Sequence, residues 1–378
     1  MTLSKAALLL FFLCGSAVLG PEDRPRVREF GIRTGTLMPG PLNAITDVSG
    51  VKVGQVTLIQ GDSVRTGITA ILPHAGNIFQ DKVPAAVYVA NGFGKLAGST
   101  QVEELGCLET PVILTNTLSV PTAADALIDY ILSLPGNEKV QSVNPVVGET
   151  NDGSLNDIRS RHVKKEHVLE AIGNASSGPV EEGAVGAGTG TTCFGFKGGI
   201  GTSSRRISTG GQSYTVGVLV QTNFGGVLQI NGVLVRDLIG TSAPERKNEP
   251  GIDGSCMIIV ATDAPLDARN LKRLAKRACL GIARTGGFGS NGSGDYAIAF
   301  STAAEVRIAH QSSSPLQTLT VVRNDNISPL FQAAAEAAEE AILNSLFKAV
   351  RIEGKDGHVA EPLPIEKLKG LVRREEKK

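Results

Sequence analysis

The stretch Gly251-Ile252-Asp253-Gly254-Ser255-Cys256-Met257-Ile258-Ile259-Val260 runs from a turn of small and polar residues directly into an apolar segment. An apolar run of this length, bounded by turn residues, predicts a buried β-strand. Residues 266–284 are predicted to form a helix, because Leu271, Leu274 and Ile282 recur at helical spacing and give it one apolar face. A buried strand followed by such a helix is typical of a layered α/β domain.

The same two patterns recur on both sides of this stretch. The dipeptide Asn231-Gly232 between two valine-rich runs predicts a hairpin, so the sheet structure is expected to be partly antiparallel. An alanine-rich helix is predicted over residues 328–347, and its small side chains indicate close packing on a neighbour. We find no internal repeat and no linker of disordered composition, so one compact domain is expected. The other predicted elements are strands over residues 85–90, 111–114, 215–221, 296–300 and 319–322, and a helix over residues 155–172.

The composition excludes several classes of function. The 378 residues contain 37 Lys and Arg against 37 Asp and Glu. This balance lacks the basic excess of nucleic-acid-binding proteins, and we expect no nucleic-acid partner. The five histidines form no HExxH pattern, and GxSxG is absent, which argues against zinc catalysis and against an α/β-hydrolase elbow. We expect no metal and no other cofactor.

Residues 1–20 are predicted to be a secretory signal peptide. Lys5 gives a weakly basic start, residues 6–13 are apolar, and the small residues Gly15, Ser16 and Ala17 follow. The apolar run is too short to span a membrane, and no later segment is long and apolar enough to do so. The protein is therefore expected to be secreted or periplasmic and not held in a membrane. A buried first helix is the alternative.

Four glycine-rich or polar clusters are candidates for a functional site: residues 148–153, 185–192, 251–260 and 285–295. Residues 185–192 lack the Lys-Ser or Lys-Thr of a phosphate-binding loop, which favours a structural turn over nucleotide binding. The acids of residues 148–153 suit either a helix cap or a site for a cation or an amine. Residues 285–295 alone predict a polar connecting loop.

The step from Gly254 to Ser255 has two interpretations. It is either a turn that opens a strand or the site of an N-to-O acyl shift, in which the hydroxyl attacks the unhindered glycine carbonyl. Hydrolysis of the resulting ester would leave Ser255 with a free α-amine. The ordinary pKa of that amine, about 7.7–8.0, allows it to act as base for its own hydroxyl. The residues by themselves leave both interpretations open.

Several motifs, taken in order, resemble those of the DmpA/BapA family of aminopeptidases, and the resemblance covers nearly everything after the predicted signal. The most specific are Asp253-Gly254-Ser255 and Ser293-Gly294-Asp295. The others are Asn43-Ala44-Ile45-Thr46-Asp47-Val48, Glu109-Thr110-Pro111, Thr115-Asn116-Thr117, residues 186–191, and Lys197-Gly198-Gly199-Ile200-Gly201-Thr202-Ser203-Ser204-Arg205.

The resemblance implies catalytic roles for four side chains. Ser255 matches the self-processing nucleophile, which is freed by cleavage between Gly254 and Ser255. Asn223 matches the amide that stabilises the oxyanion. Ser293 and Asp295 match the pair that holds the nucleophile and its amine.

The resemblance also implies substrate-binding roles for two residues. Glu149 matches the carboxylate that binds the amino group of the substrate. Asn151 lies where some relatives have an aromatic residue that lines the pocket, and this departure concerns substrate preference.

The fold implied by the resemblance is a four-layer α/β/β/α sandwich, similar to that of ornithine acetyltransferase. Family members assemble as oligomers of processed α and β chains and need no metal. In this sequence the α chain would span residues 21–254 and the β chain residues 255–378. The expected activity is hydrolysis of the amide or ester bond after an N-terminal residue with a free amine, in small peptides, amides or esters. The alternatives are an acyltransferase of the ornithine acetyltransferase type, a class that uses threonine, and a non-catalytic scaffold of the same fold.

Overall fold

The computed structural model describes residues 24–240 and 254–375, so the predicted signal peptide at residues 1–20 lies outside the described residues. The described helices are α1 (Ser99–Leu105), α2 (Val120–Ser133), α3 (Lys165–Gly173), α4 (Arg236–Ile239), α5 (Ala268–Ala278), α6 (Leu280–Arg284), α7 (Ser328–Phe347) and α8 (Lys369–Glu375). The described strands are β1 (Lys52–Gln60), β2 (Val64–Leu72), β3 (Asp81–Gly92), β4 (Cys107–Leu108), β5 (Val112–Asn116), β6 (Val146–Thr150), β7 (Thr192–Cys193), β8 (Phe196–Lys197), β9 (Ile200–Thr209), β10 (Gln212–Asn223), β11 (Gln229–Ile230), β12 (Val233–Leu234), β13 (Ser255–Thr262), β14 (Gly294–Ser301), β15 (Ile308–Ala309), β16 (Ile352–Glu353) and β17 (Val359–Ala360).

Two mixed sheets form the centre of the molecule. The small sheet has the order β1-β2-β5-β6, and the large sheet has the order β15-β3-β14-β13-β10-β9, with β4 paired to β3. Strands β13 and β14 are parallel, as are β5 and β6, whereas the other pairs in these sheets are antiparallel. The Asn231-Gly232 hairpin is confirmed, but its strands β11 and β12 form a separate pair outside the large sheet.

Three apolar cores separate four layers. Residues of the two sheets, such as Met257 and Leu114, form the central core. Helices α2 and α3 cover the outer face of the small sheet, and α5 and α7 cover that of the large sheet. Alternate residues of β13 serve different cores, because successive side chains of a strand point to opposite faces: Met257 and Ile259 lie between the sheets, and Ile258 lies under the helices. The predicted α/β/β/α sandwich is confirmed.

Helix α7 packs against the large sheet as its alanine content predicted. A Cβ atom on Gly201 of β9 would lie only 1.9 Å from the carbonyl oxygen of Ala341, so the strand and helix backbones approach as closely as glycine allows. Buried ions reinforce the contact, since Arg205 lies 2.7 Å from Glu340 and Arg28 lies 2.6 Å from it. Burial raises the pKa of Glu340, but the two arginines outweigh this and lower it to about 2.

Three predicted elements are wrong in part. Residues 155–164 hold only a single 3-10 turn, Ile158–Ser160, and α3 begins only at Lys165. The reason is that Asn156 and Asp157 form hydrogen bonds with the backbone of Arg65 and Ser63 instead of with an α-helix.

The other two corrections concern the segments after β13 and β14. The helix predicted over residues 266–284 is broken at Cys279 into α5 and α6, where Gly281 lies against Ala338 of α7. Residues 319–322 pair with no strand in the described chain, and Leu319 is exposed.

Candidate active site

Ser255 is the first residue of β13, in the middle of the large sheet. It lies directly opposite Asn223 of the antiparallel neighbour β10 and opposite Gly294 of the parallel neighbour β14. Only 6 % of Ser255 is exposed. Sheet register therefore brings together three motifs that are distant in sequence.

One backbone donor contacts both groups of the Gly254-Ser255 step. The N–H of Gly294 donates to the carbonyl oxygen of Gly254 at 3.2 Å and to Ser255 Oγ at 3.3 Å. The carbonyl and the hydroxyl that an acyl shift would join are thus held against the same donor. A hydrogen bond of this kind polarises the carbonyl and stabilises negative charge that develops on its oxygen.

The Gly254 backbone has no room for a side chain. A Cβ atom at this position would lie 2.2 Å from Phe224 Cα and 2.3 Å from the carbonyl oxygen of Asn223. Both neighbours are backbone atoms and cannot rotate away. Glycine is therefore needed for this carbonyl to take its place beside Ser255.

Ser293 and Asp295 form a pair on either side of Gly294. Ser293 Oγ donates to Asp295 Oδ1 at 2.9 Å. Burial raises the pKa of Asp295 to about 6, although hydrogen bonds from Ser293 and from the N–H of Cys256 partly offset this. Both partners of Asp295 adjoin the paired residues Ser255 and Gly294: Ser293 directly precedes Gly294, and Cys256 directly follows Ser255.

Asp295 lies on the helix side of the large sheet. It lines an open cavity of about 210 Å³ together with Asn91, Cys279 and Phe288. Its register partner Cys256 belongs to the core under the helices, whereas Ser255, one residue earlier, alternates to the other face.

The amide of Asn223 is held at both ends. Its Oδ1 accepts from the N–H of Thr192 at 3.1 Å, and its Nδ2 donates to the carbonyl oxygen of Asn151 at 2.9 Å. The side chain of Asn151 instead accepts from the N–H of Gly153 at 2.9 Å. Asn151 thus contacts Asn223 through its backbone.

Glu149 lies near the end of β6 and is 3 % exposed. Its Oε1 accepts from the N–H of Lys95 at 3.0 Å, and its Oε2 accepts from the hydroxyl of Thr117. Within the described part of the chain, no lysine or arginine forms an ion pair with this buried carboxylate. The carboxylate is therefore oriented but lacks a cation.

Tyr296 connects the carboxylate to the strand next to Ser255, and the sequence analysis missed it. A Cβ on Gly94 would lie 3.0 Å from Tyr296 Cε2 and 3.2 Å from Glu149 Oε1, so the ring and the carboxylate flank the same glycine. Burial raises the pKa of Tyr296, and the charges of Glu149 and Asp295 raise it further. The available signal was its position two residues after Gly294, on the same face of a strand.

Thr192, Thr117 and Lys95 were also missed as partners of the site. Thr117 and Thr192 lie in stretches singled out above, but their contributions are a single hydroxyl and a backbone N–H, and Lys95 also contributes its backbone N–H, so no side-chain pattern indicated these roles. Among residues 24–240 and 254–375 no group of three or more His, Cys, Asp or Glu is placed to hold a metal ion. No helix in those residues is both long and apolar enough to cross a bilayer.

A serine at the head of a central strand, behind a glycine that admits no side chain, defines a hydrolase of the N-terminal-nucleophile class. The chain belongs to peptidase family S58, whose model matches residues 43–360. It is 43 % identical over 377 residues to the β-peptidyl aminopeptidase BapA of Sphingosinicella microcystinivorans, with 93 % of each chain covered.

Solved structures agree with this assignment. The PH0078 protein from Pyrococcus horikoshii OT3 is 51 % identical, with a TM-score of 0.86. The L-aminopeptidase D-Ala-esterase/amidase of Ochrobactrum anthropi, a prototype of the serine aminopeptidases with a variant of the Ntn-hydrolase fold, is 37 % identical, also with a TM-score of 0.86. Each match covers 93 % of this chain and 99 % of the other. The protein is thus a self-processing, serine-type aminopeptidase or amidase, and the relatives do not favour an acyltransferase.

Proposed function

We propose that the chain cleaves itself between Gly254 and Ser255 and that Ser255 is then the nucleophile for amides and esters with a free N-terminal amine. The observation that carries this proposal is the single Gly294 N–H that contacts both the Gly254 carbonyl and Ser255 Oγ. The products would be an α chain of residues 21–254, after removal of the signal, and a β chain of residues 255–378.

In the proposed turnover, Ser255 Oγ attacks the substrate carbonyl and its proton passes to the α-amine of Ser255. The second N–H of Asn223 Nδ2 donates to the oxyanion, because the first is already engaged by Asn151. The leaving amine takes the proton from the ammonium, and water then hydrolyses the acyl ester on Ser255. Asp295, on the other face of the sheet from the Ser255 side chain, orients the new terminus through the N–H of Cys256, and Ser293 holds its carboxylate.

Glu149 is proposed to bind the ammonium of the substrate. Its carboxylate is buried, is oriented by two hydrogen-bond donors, and has no cationic partner in the described residues. The ammonium of a substrate would supply the missing positive charge. A charge-assisted hydrogen bond of this kind is stronger than a neutral one. Asn151 is proposed to line the pocket beside Asn223, and its lack of an aromatic ring leaves more space for the substrate.

The identity of the curated relatives favours β-amino acid residues at the N-terminus of the substrate. Two relatives that cover more than nine tenths of the chain, at 43 % and 37 % identity, are β-peptidyl aminopeptidases. A panel of amides with matched L-α- and β-residues tests this preference, and faster turnover of the L-α-amide would contradict it.

Secretion and assembly complete the proposal. The predicted signal at residues 1–20 favours a secreted or periplasmic protein. Two large apolar side chains, Phe93 and Phe288, are 64 % and 67 % exposed, and they favour a homo-oligomer of processed units. Fractionation of cells and measurement of the native mass test these two points.

Self-cleavage is tested by the Ser255→Ala variant. Wild-type protein should give two fragments on a denaturing gel, the smaller beginning at Ser255, and Ser255→Ala should remain one chain. Ser301→Ala is the matched control, since it removes a buried hydroxyl at the other end of β14 and should be processed normally. A fragment beginning at any other residue, or cleavage of Ser255→Ala, would contradict the assignment.

A further inference from the structure

Lys197 is a fully buried lysine beside the site, and neither the mechanism nor the motif analysis gave it a role. Its side chain is 0 % exposed. Its Nζ donates to the carbonyl oxygens of Gly188 at 2.9 Å, Thr191 at 2.7 Å and Gly198 at 2.7 Å. An ammonium group has three N–H donors. Two of them are directed at the glycine-rich loop before β7, at Gly188 and Thr191, and the third at Gly198, the residue after Lys197.

Burying an ammonium group is costly unless its donors are satisfied. Burial lowers the pKa of Lys197 to about 7, although the nearby Cys193 and Asp152 partly oppose this. Within the described part of the chain, no carboxylate lies within ion-pair distance of Lys197. The three carbonyls are therefore what offsets the burial of this group, and in turn the group holds the loop carbonyls of Gly188 and Thr191 against the end of β8.

The loop that Lys197 holds ends at Thr192, whose backbone N–H donates to the side chain of Asn223. Strands β7 and β8 pair Thr192 with Lys197, around a tight turn in which Phe194 and Gly195 have φ of +53° and +82°. Thr192 follows the Thr191 carbonyl directly, and its N–H donates to Asn223 Oδ1 at 3.1 Å. One carbonyl held by Lys197 thus belongs to the same peptide unit as the N–H that contacts the Asn223 amide.

We propose that Lys197 is a positioning residue for the oxyanion amide: by fixing the Thr191–Thr192 peptide it sets the orientation of the Asn223 side chain. The inference rests on the role proposed above for Asn223. Without the hydrogen bond from Lys197 the Thr191–Thr192 peptide can tilt. The Thr192 N–H then no longer points at Asn223 Oδ1, and the Asn223 Nδ2 group turns away from the position of the oxyanion. A misplacement of about 1 Å at such a group costs about 10²-fold in rate.

A double-mutant cycle tests this role. Lys197→Met keeps the length and apolar stem of the side chain and removes all three donors. We expect its kcat to fall by about 10²-fold with KM within about twofold, as expected for an interaction that acts in the transition state. In the Asn223→Ala background the same change should cost less than about threefold, because the residue on which Lys197 acts is gone. Turnover is expressed per processed chain, so that slow processing of a variant does not lower its kcat.

Lys82→Met is the matched control. Lys82 is also a buried lysine, bonded to the Phe79 carbonyl oxygen at 2.6 Å and lying 3.6 Å from Glu109, but it lies at the opposite end of β3 from Gly92. Its replacement should lower the unfolding temperature and leave kcat unchanged. This variant separates the general effect of losing a buried lysine from the effect on Asn223.

The outcomes are distinguishable. An unchanged rate in Asn223→Ala contradicts the proposed role of Asn223 and this inference with it. A slow Asn223→Ala whose loss multiplies in full with that of Lys197→Met contradicts the positioning role alone. If Lys197→Met does not fold, Lys197→Gln, which keeps two donors, replaces it in the cycle. Failure of both to fold while Lys82→Met folds makes Lys197 a purely structural residue and overturns the inference.

Discussion

Replacing Gly254 by alanine tests how self-cleavage depends on the space around the scissile carbonyl. The added methyl group would lie 2.2 Å from Phe224 Cα and 2.3 Å from the Asn223 carbonyl oxygen. Carbon atoms in contact are ordinarily about 3.5–4.0 Å apart, so the Gly254 backbone must move by about 1 Å or more. That movement takes the Gly254 carbonyl away from Ser255 Oγ and from the Gly294 N–H. A misplacement of this size is expected to slow cleavage by about 10²-fold.

The assay is a time course of precursor conversion on denaturing gels, with the precursor made by cell-free synthesis. Gly173→Ala is the control, because a Cβ at this position, the last residue of α3, meets nothing within 4 Å. This control should be processed at the wild-type rate. Once the slow cleavage of Gly254→Ala is complete, the product should have normal turnover, since residue 254 is then a chain end. A folded Gly254→Ala precursor that is converted within twofold of the wild-type half-time would refute the reasoning.

Three further predictions concern carboxylates. Glu149→Gln keeps the shape of the side chain but removes its charge, so kcat/KM for a free-amine amide should fall by about 10–10²-fold, whereas equal rates for free and N-acetylated substrates of the wild type would contradict the role of Glu149. The Ser255 amine, with an ordinary pKa of about 7.7–8.0, must be neutral to act as base, so wild-type activity should begin to fall below about pH 8. Burial raises the pKa of Asp295 to about 6, so the fall should become steeper below about pH 6. Asp295→Asn should lose this steeper part of the pH–rate profile together with about 10²-fold in turnover, and an unchanged profile would remove Asp295 from the site. Burial raises the pKa of Asp152 to about 7, so Asp152 binds a proton more tightly in the folded protein than in the unfolded chain. The contribution of this group to the stability of the wild type should therefore be lost as the pH rises from about 4 to 7. The stability of Asp152→Asn, measured by thermal unfolding, should therefore rise relative to wild type across that window, by up to about 4 kcal/mol, and a difference that does not change with pH would contradict this.

The central strands could be predicted from the sequence because apolar runs and turn residues are local features. The apolar run after Ser255 became β13, and the alanine-rich segment became α7 with the predicted bounds. Prediction failed where distant backbone competes with local propensity. Residues 155–164 match a helical pattern, yet hydrogen bonds to Ser63, in the turn before β2, and to Arg65 at the start of β2 keep them from forming an α-helix.

The sequence by itself determined the motifs of the site: the glycine before Ser255, the Ser293-Gly294-Asp295 triplet, Asn223 and Glu149. Only the tertiary structure decided how they act on one another. Sheet register places Asn223 and Gly294 on either side of Ser255, and a long-range contact directs the Asn223 amide to the Asn151 carbonyl. The physical reason is that each of these contacts has a backbone group as at least one partner, and every residue type has such groups, so no side-chain pattern marks the partner in the sequence.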